Sequence, residues 1–271
     1  MIDLHNHMLP GLDDGARDWE QSLRMARMAV EDGIEAVVCT PHWTPGLYCG
    51  NTRTAILQVA EALRERLARA GIPLRVYPGA ELHLDYDLPR KLDTAEILTL
   101  NDTGRYALIE LHDGVLPRNM ENFFWELESR GVTPVLSHPE RNRVLQRDRV
   151  RLYRWVEAGV LVQITSSSLL GRFGGEAERF ARLLLRHNMV HVLATDAHGH
   201  DVRAPRLSEG LGEAARSIGD EAARRLVVEN PRCIVEGKPM TLAGLIPIGD
   251  SSGRFAAFQR FFSFLGLGPQ R

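Results

Sequence analysis

The sequence predicts an α/β protein built as a distorted, seven-stranded β/α barrel. Short runs of β-branched and aliphatic residues alternate with segments of helical periodicity, which is the pattern of a parallel sheet. Seven such runs occur within about 240 residues, and this number fits an incomplete barrel better than two separate domains. Because no Ser/Gly-rich linker interrupts the series, we expect one domain over residues 1–240 and an extension over 241–271.

The predicted elements follow from local patterns. The seven strands are expected over residues 1–7, 36–42, 75–82, 106–112, 133–139, 160–165 and 191–198. Between the first two strands, Trp19, Leu23, Ala26 and Val30 share one helical face, and Asp18 suits the N-cap. A second helix carries its apolar stripe through residues 56–67, and further helices centre on 124–127, 152–156, 180–184 and 211–215. Residues 85–99 are expected to form a short helix or a loop.

Composition excludes several classes of protein. The 33 basic residues face 35 acidic ones, so a general nucleic-acid-binding surface is not expected. Three scattered cysteines fit neither a disulfide framework nor a thiolate zinc site, and they suit the cytoplasm. We expect no signal peptide and no transmembrane segment, because Asp3, His5, Asn6 and His7 leave neither a basic first region nor a long apolar run at the N-terminus.

The extension is rich in phenylalanine. Five of the nine phenylalanines fall within ten residues, beside two arginines: Phe255, Phe258, Phe261, Phe262 and Phe264, with Arg254 and Arg260. Two interpretations stay open. The segment either packs on the barrel as an amphipathic helix or makes a peripheral contact with a membrane surface or a partner.

Metal-binding residue types stand at the ends of nearly all the predicted strands. They are His5, His7, His42, Glu81, Glu110, His138, Asp196 and His198, and Asp14 follows in the loop after the first strand. Active sites of β/α barrels lie at the C-terminal ends of the strands, so one mouth is expected to collect all nine. Four carboxylates crowded there without a cation would repel one another and lose solvation.

Imidazoles and carboxylates without thiolates suit Mn²⁺, Fe or Zn²⁺. With a bridging carboxylate such as Glu81, nine ligands can hold two or three divalent ions. Three divalent ions would exceed the charge of four carboxylates by two, which matches a phosphate dianion. Arg141 and Arg203 follow predicted strands on the same side and can fork onto phosphate oxygens, although Arg143, Arg147 and Arg206 are nearby competitors. Hydrolysis of a phosphate ester is therefore the expected reaction.

The motifs together resemble the polymerase and histidinol phosphatase (PHP) superfamily. They are Asp3-Leu-His-Asn-His, Asp13-Asp14-Gly15, Thr40-Pro41-His42, Gly79-Ala80-Glu81, Ile109-Glu110, Ser137-His138-Pro139-Glu140-Arg141 and Thr195-Asp196-Ala197-His198. They are most similar to the manganese-dependent protein-tyrosine phosphatases of bacterial capsule and exopolysaccharide loci. This resemblance implies a distorted barrel, three metals and, as substrate, the phosphotyrosine tail of a bacterial tyrosine kinase that controls polysaccharide synthesis.

The same resemblance implies a division of the ligands among three ions. His5, His7, Glu81 and Asp196 would hold the first ion; Glu81, Glu110 and His138 the second; and Asp14, His42 and His198 the third. Arg141 and Arg203 would match the two arginines that contact the substrate phosphate.

Other functions stay open at this point. The alternatives are a histidinol phosphatase or another small-molecule phosphoesterase, an exonuclease or editing site, a metal-dependent amidohydrolase and a non-enzymatic scaffold. An amidohydrolase generally carries a bridging lysine where this chain has Glu110. We also expect Trp43 and Tyr48 to rim an open mouth that admits a phosphotyrosine side chain.

Overall fold

A computed structural model describes residues 1–112 and 114–248. Over these residues the strands are β1 (Ile2–Asn6), β2 (Ala36–Cys39), β3 (His42–Trp43), β4 (Arg75–Pro78), β5 (Glu81–His83), β6 (Tyr106–Glu110), β7 (Thr133–Ser137), β8 (Leu161–Thr165) and β9 (Val192–Ala194). The α-helices are α1 (Trp19–Glu31), α2 (Arg53–Arg69), α3 (Leu88–Asp93), α4 (Met120–Ser129), α5 (Arg143–Arg147), α6 (Arg149–Glu157), α7 (Ser166–Leu169), α8 (Gly175–Arg186), α9 (Ser208–Ile218), α10 (Asp220–Arg225) and α11 (Glu229–Val235).

The strands form two sheets in which all pairings are parallel. One sheet has the order β1-β2-β4, and the other has the order β3-β5-β6-β7-β8-β9. A small apolar cluster contains Leu4 and Val38 from the first sheet together with Leu108 and Val135 from the second. The two sheets therefore share one interior, and the predicted α/β class with parallel strands is confirmed.

The strand count differs from the prediction. The described residues contain nine strands rather than seven, because the predicted strands 36–42 and 75–82 are each interrupted and continue in the other sheet. Pro41 has no backbone N–H to donate to a ladder. At Gly79 an added Cβ would lie 2.9 Å from a methyl group of Val38, so the chain passes too closely there for a larger residue. The interruptions bring His42 into register with Glu81.

The ends of β1 and β9 are joined by hydrogen bonds. The backbone N–H of Asp196 donates to the carbonyl oxygen of His5 at 2.7 Å, and the N–H of His7 donates to that of Ala197 at 2.8 Å. Asp3 is buried between the two strands and accepts from the N–H and the hydroxyl of Thr195. These bonds fix the first and last predicted ligand segments side by side.

The helices confirm the sequence patterns. Asp18 caps α1 by accepting from the N–H of Gln21, as its position predicts. The buried face of α2 includes Ile56, Leu63 and Leu67, and the uncertain segment 85–99 contains only the short helix α3.

The first residues of the extension lie against the end of α8. Ile246 donates its N–H to the carbonyl of His187, Asn188 donates to the carbonyl of Gly244, and Ile248 is buried. The phenylalanine-rich stretch lies outside the described residues. Among the helices that the structure describes, none has the length and apolar character needed to cross a membrane.

Candidate metal centre

The structure brings all nine predicted ligands together in one cluster. Their nitrogen and oxygen atoms fall into four overlapping groups, and within each group the atoms lie within 4.8 Å of one another. The groups are His7, Asp14, His42 and His198; His5, His7 and Glu81; His5, His138 and Asp196; and His42, Glu81 and Glu110. Because the groups share members, they form one continuous cluster.

Glu81 lies at the centre of this cluster and is completely buried. Its Oε2 is 3.2 Å from Nε2 of His5, 3.6 Å from Nε2 of His7 and 3.0 Å from Nδ1 of His42. Its Oε1 is 3.0 Å from Nε2 of His138. One carboxylate thus faces four imidazoles, which is the position that a bridging ligand would need.

Asp196 occupies the other buried position. Its Oδ1 lies 3.4 Å from Nε2 of both His5 and His7, while its Oδ2 accepts from Arg141 Nη2 at 2.6 Å. Arg203 Nη2 pairs with the same Oδ2. The two predicted phosphate-binding arginines therefore lie next to each other at the edge of the cluster.

The remaining ligands lie closer to solvent. Asp14 Oδ1 is 3.5 Å from Nε2 of His42 and 3.4 Å from Nε2 of His198. Glu110 lies 3.7 Å from both His42 and His138. The side chain of Asp14 is 57% exposed, so this side of the cluster is open to an incoming substrate.

Neighbouring groups fix the orientation of the buried imidazoles. The ring of His5 donates from Nδ1 to Gln163 Oε1 at 2.9 Å, and the ring of His7 donates from Nδ1 to Asp13 Oδ2 at 2.7 Å. When the ring is neutral, this tautomer leaves a lone pair on Nε2, which lies within the cluster. Hydrogen bonds of this kind orient histidine ligands in metal sites.

Without a bound cation, the negative charge of the carboxylates keeps protons on neighbouring imidazoles. Burial lowers the pKa of His7 and the carboxylate of Asp13 raises it, with a net rise to about 10. Burial raises the pKa of Asp196, yet His5 and Arg141 hold it well below its usual value. The Asp196 carboxylate thus stays ionised, and protonated His7 supplies part of the positive charge that balances it, a charge that divalent ions can replace.

The residues present fit such ions. Glu81 Oε2 and Asp196 Oδ1 are buried and accept no hydrogen bond, although imidazole nitrogens lie near both. The Nε2 atoms of His5 and His7 are only 3.2 Å apart. Such crowding of nitrogen and oxygen atoms is expected of side chains that share a cation, and a set of imidazoles and carboxylates without thiolates suits a transition metal.

Three site residues have left-handed backbone conformations that residues other than glycine rarely adopt. They are His138 with φ 33°, Asp196 with φ 52° and Arg203 with φ 52°. Non-glycine residues in this region cost free energy and concentrate at functional sites. The sequence gives no sign of these conformations.

Sequence reasoning missed the supporting residues. Asp13 belongs to a recognisable motif that gives it no role, and no motif contains Gln163, because its contact with His5 joins two distant strands. Glu140 is completely buried and accepts from the N–H of Thr165 and the hydroxyl of Ser168. A signal existed only for Asp13 and Glu140, since both adjoin a predicted site residue.

Of the two aromatic residues predicted to rim the mouth of the site, only Tyr48 lies there. Trp43 is 4% exposed and belongs to the apolar core, so it does not rim the mouth. It follows His42 in a strand, where successive side chains point in opposite directions. Tyr48 is at the mouth, and its ring stacks on His42 with centroids 5.9 Å apart.

Known proteins are similar to this chain in sequence and in architecture. A family model for capsular polysaccharide synthesis, CpsB/CapC, matches residues 1–236. Tyrosine-protein phosphatase YwqE of Bacillus subtilis is 40% identical over 221 residues, which are 82% of this chain and 86% of that protein. Tyrosine-protein phosphatase CpsB of Streptococcus pneumoniae is 32% identical over 243 residues, which are 87% of this chain and 98% of that protein.

A solved structure is also similar. It comes from crystal structures of YwqE from Bacillus subtilis and CpsB from Streptococcus pneumoniae, described as unique metal-dependent tyrosine phosphatases. The match has a TM-score of 0.87 at 37% identity, and it covers 92% of this chain and all of the other. The resemblance that the motifs indicated is confirmed: the chain belongs to the CpsB/CapC family of capsular polysaccharide synthesis.

Proposed function

We propose that the chain is a metal-dependent protein-tyrosine phosphatase. Its substrate is the phosphotyrosine tail of a bacterial tyrosine kinase that regulates capsular or extracellular polysaccharide synthesis. The observation that carries the proposal is the joining of nine imidazole and carboxylate ligands with two adjacent arginines at one open end of the strands. Two relatives of the chain are named tyrosine-protein phosphatases, which supports the same reaction.

The proposed metals are two or three divalent ions, preferably Mn²⁺, with Fe or Zn²⁺ as alternatives. His5, His7, Glu81 and Asp196 would hold one ion. Glu81, with Glu110 and His138, would hold a second. A separate group would hold the third: Asp14, His42 and His198. When bound, the ions supply the positive charge that polarises the phosphoryl group and activates a water molecule for in-line attack.

The chain's own residues then position the substrate. Arg141 and Arg203 present planar forks of N–H donors that match the non-bridging oxygens of a phosphoryl group. Because both lie beside the Asp196 carboxylate, they are held at the edge of the cluster before the substrate arrives. Donors that are already in place stabilise the charge of the transferring group without reorganisation.

We also propose that the two sheets are parts of one distorted barrel. The hydrogen bonds between the ends of β1 and β9 support this, as does the apolar cluster that both sheets share. The proposed location is the cytoplasm, which suits the free thiols of Cys39, Cys49 and Cys233.

The substrate is tested with three phosphate esters. Mn²⁺-loaded protein is given phosphotyrosine peptides, phosphoserine peptides and histidinol phosphate, and kcat/KM is measured for each. The recessed buried ligands favour a long side chain, so we expect phosphotyrosine peptides to exceed both others by at least about tenfold, or roughly 1.4 kcal/mol. A higher value for histidinol phosphate would replace the proposed substrate with a small molecule.

A further inference from the structure

Phe173 lies against both arginines of the proposed phosphate site. The centroid of its ring is 3.7 Å from Cζ of Arg141 and 5.8 Å from Cζ of Arg203. Guanidinium groups are attracted to the faces of aromatic rings at such distances. One aromatic side chain thus contacts two cations that belong to different segments of the chain, one after β7 and one after β9.

The turn that carries Phe173 is tightly bonded. It connects α7 to α8, and it is flanked by Gly171 with φ 72° and Gly174 with φ 89°. Gly174 donates its N–H to the carbonyl of Gly171 at 3.0 Å, and Arg172 donates its N–H to that of Ser167 at 3.0 Å. The glycines permit left-handed turns that place the ring without strain.

The turn and Arg141 share an anchor. The hydroxyl of Ser168, at the base of the turn, donates to Glu140 Oε1 at 2.6 Å. Glu140 is completely buried and directly precedes Arg141. A single carboxylate therefore links the segment that carries the ring to the segment that carries the guanidinium.

The aromatic ring of Phe173 lies beside two guanidinium groups of like charge. They repel each other, and both pair with the same oxygen of Asp196. The Nε atoms of Arg141 and Arg203 are buried and have no hydrogen-bond partner. An aromatic face attracts the cations without a strong hydrogen-bond acceptor that would compete with phosphate oxygens.

We propose that Phe173 is a positioning residue that holds Arg141 and Arg203 side by side for the phosphate group. It acts through the arginines and not through contact with the substrate. The inference rests on the phosphate-binding role of the two arginines in the proposed function.

The test compares two variants. Phe173→Leu keeps an apolar side chain but removes the aromatic face, whereas Phe173→Tyr keeps the aromatic ring. Two quantities are measured on the Mn²⁺-loaded protein: kcat/KM for a phosphotyrosine peptide and the Kd for inorganic phosphate. We expect Phe173→Leu to lower kcat/KM and to raise the Kd for phosphate, each by about 3- to 30-fold, at unchanged metal content. Both quantities should stay within about twofold of the wild type in Phe173→Tyr. The control Trp125→Leu, at a 67% exposed residue on α4, should change neither quantity.

A second comparison separates positioning from other roles. In a chain that carries both Arg141→Ala and Arg203→Ala, Phe173→Leu should cost less than about twofold in phosphate affinity, because its partners are gone. The inference is overturned if Phe173→Leu has no effect in the wild-type background. It is also overturned if the loss persists in the double-alanine background or is confined to aromatic phosphate esters. A loss that Phe173→Tyr shares, together with a lowered Tm, assigns the residue to stability alone and overturns the inference as well.

Phosphate affinity keeps this inference distinct from the proposed function. A wild-type protein that binds phosphate but does not hydrolyse phosphotyrosine contradicts the proposed substrate, while the effect of Phe173→Leu on the Kd still decides the role of the ring. A wild-type protein that binds no phosphate overturns both.

Discussion

Asp196 divides its two oxygens between different partners. Oδ1 faces the imidazoles of His5 and His7, whereas Oδ2 pairs with the two arginines. The carboxylate therefore separates the proposed metal positions from the proposed phosphate donors. Substitutions on the two sides of it should have different effects.

On the arginine side, we predict a loss of rate without a loss of metal. Arg141→Ala or Arg203→Ala removes a charged donor from the transferring phosphoryl group, which should cost about 10²- to 10³-fold in kcat/KM, or roughly 2–4 kcal/mol. Metal content should be retained. Arg143, which is exposed and close in sequence, provides the control Arg143→Ala. Near-normal rates in both variants would show that the arginines do not act on the substrate.

On the histidine side, we predict a loss of metal affinity. Asp13→Asn removes the charge that accepts from Nδ1 of His7, so the imidazole becomes a weaker and less oriented ligand. Competition with a chelator should show about 10- to 100-fold weaker Mn²⁺ binding. Asp18→Asn, in the same segment, is the matched control because asparagine caps a helix as well as aspartate does. Equal affinities for the two variants contradict the role given to Asp13.

At the scale of elements, a buried histidine links two strands away from the proposed metal centre. His191 precedes β9, and its Nδ1 accepts from the N–H of Val162 in β8 at 3.0 Å. Burial lowers its pKa to about 4. Protonation would place a proton on the nitrogen that already faces a donor, so the folded state holds this ring neutral.

The pH dependence of stability follows from that shift. Between pH 6.5 and 4 the unfolded chain binds a proton at His191 that the folded chain does not. The contribution of the neutral ring to the free energy of unfolding is therefore complete above pH 6.5 and is lost as the pH falls towards 4. The loss should reach roughly 2–3 kcal/mol. His191→Asn keeps an acceptor for Val162 but does not titrate. Denaturant unfolding from pH 7 to pH 4 should therefore show a smaller loss of stability in this variant, and equal losses contradict the assignment.

The sequence could predict the elements and the meeting of the nine side chains, but not the breaks between strands. Eight of the nine fall near the ends of the predicted strands and Asp14 follows in the first loop, and the C-terminal ends of parallel strands converge, so the local pattern is enough to predict that the nine meet. The splitting of residues 36–42 and 75–82 depends on close approach at Gly79, which is a tertiary contact. The contacts of Gln163 and Phe173 likewise join segments far apart in the chain, and no spacing rule connects them to the site.

At the scale of the whole molecule, the cluster draws on both sheets. His5 belongs to β1 of the first sheet, whereas His42, Glu81 and Glu110 belong to the second, and His138 follows β7 of the second sheet. Because Glu81 contacts histidines from β1, β3 and the turn after β7, it joins these elements at one point. Metal binding and the arrangement of the strands should therefore depend on the same carboxylate.

The central claim is that these nine side chains form a metal centre, and the metal-to-protein ratio tests it most directly. The protein is stripped with chelator, reloaded separately with Mn²⁺, Fe²⁺ and Zn²⁺, freed of unbound metal and analysed by mass spectrometry. Glu81→Gln is compared with Glu35→Gln, whose side chain is 69% exposed in the wild type. We predict two or three ions per wild-type and Glu35→Gln chain, and a clear drop in Glu81→Gln. Less than about one tightly held ion per wild-type chain with every metal would contradict the claim.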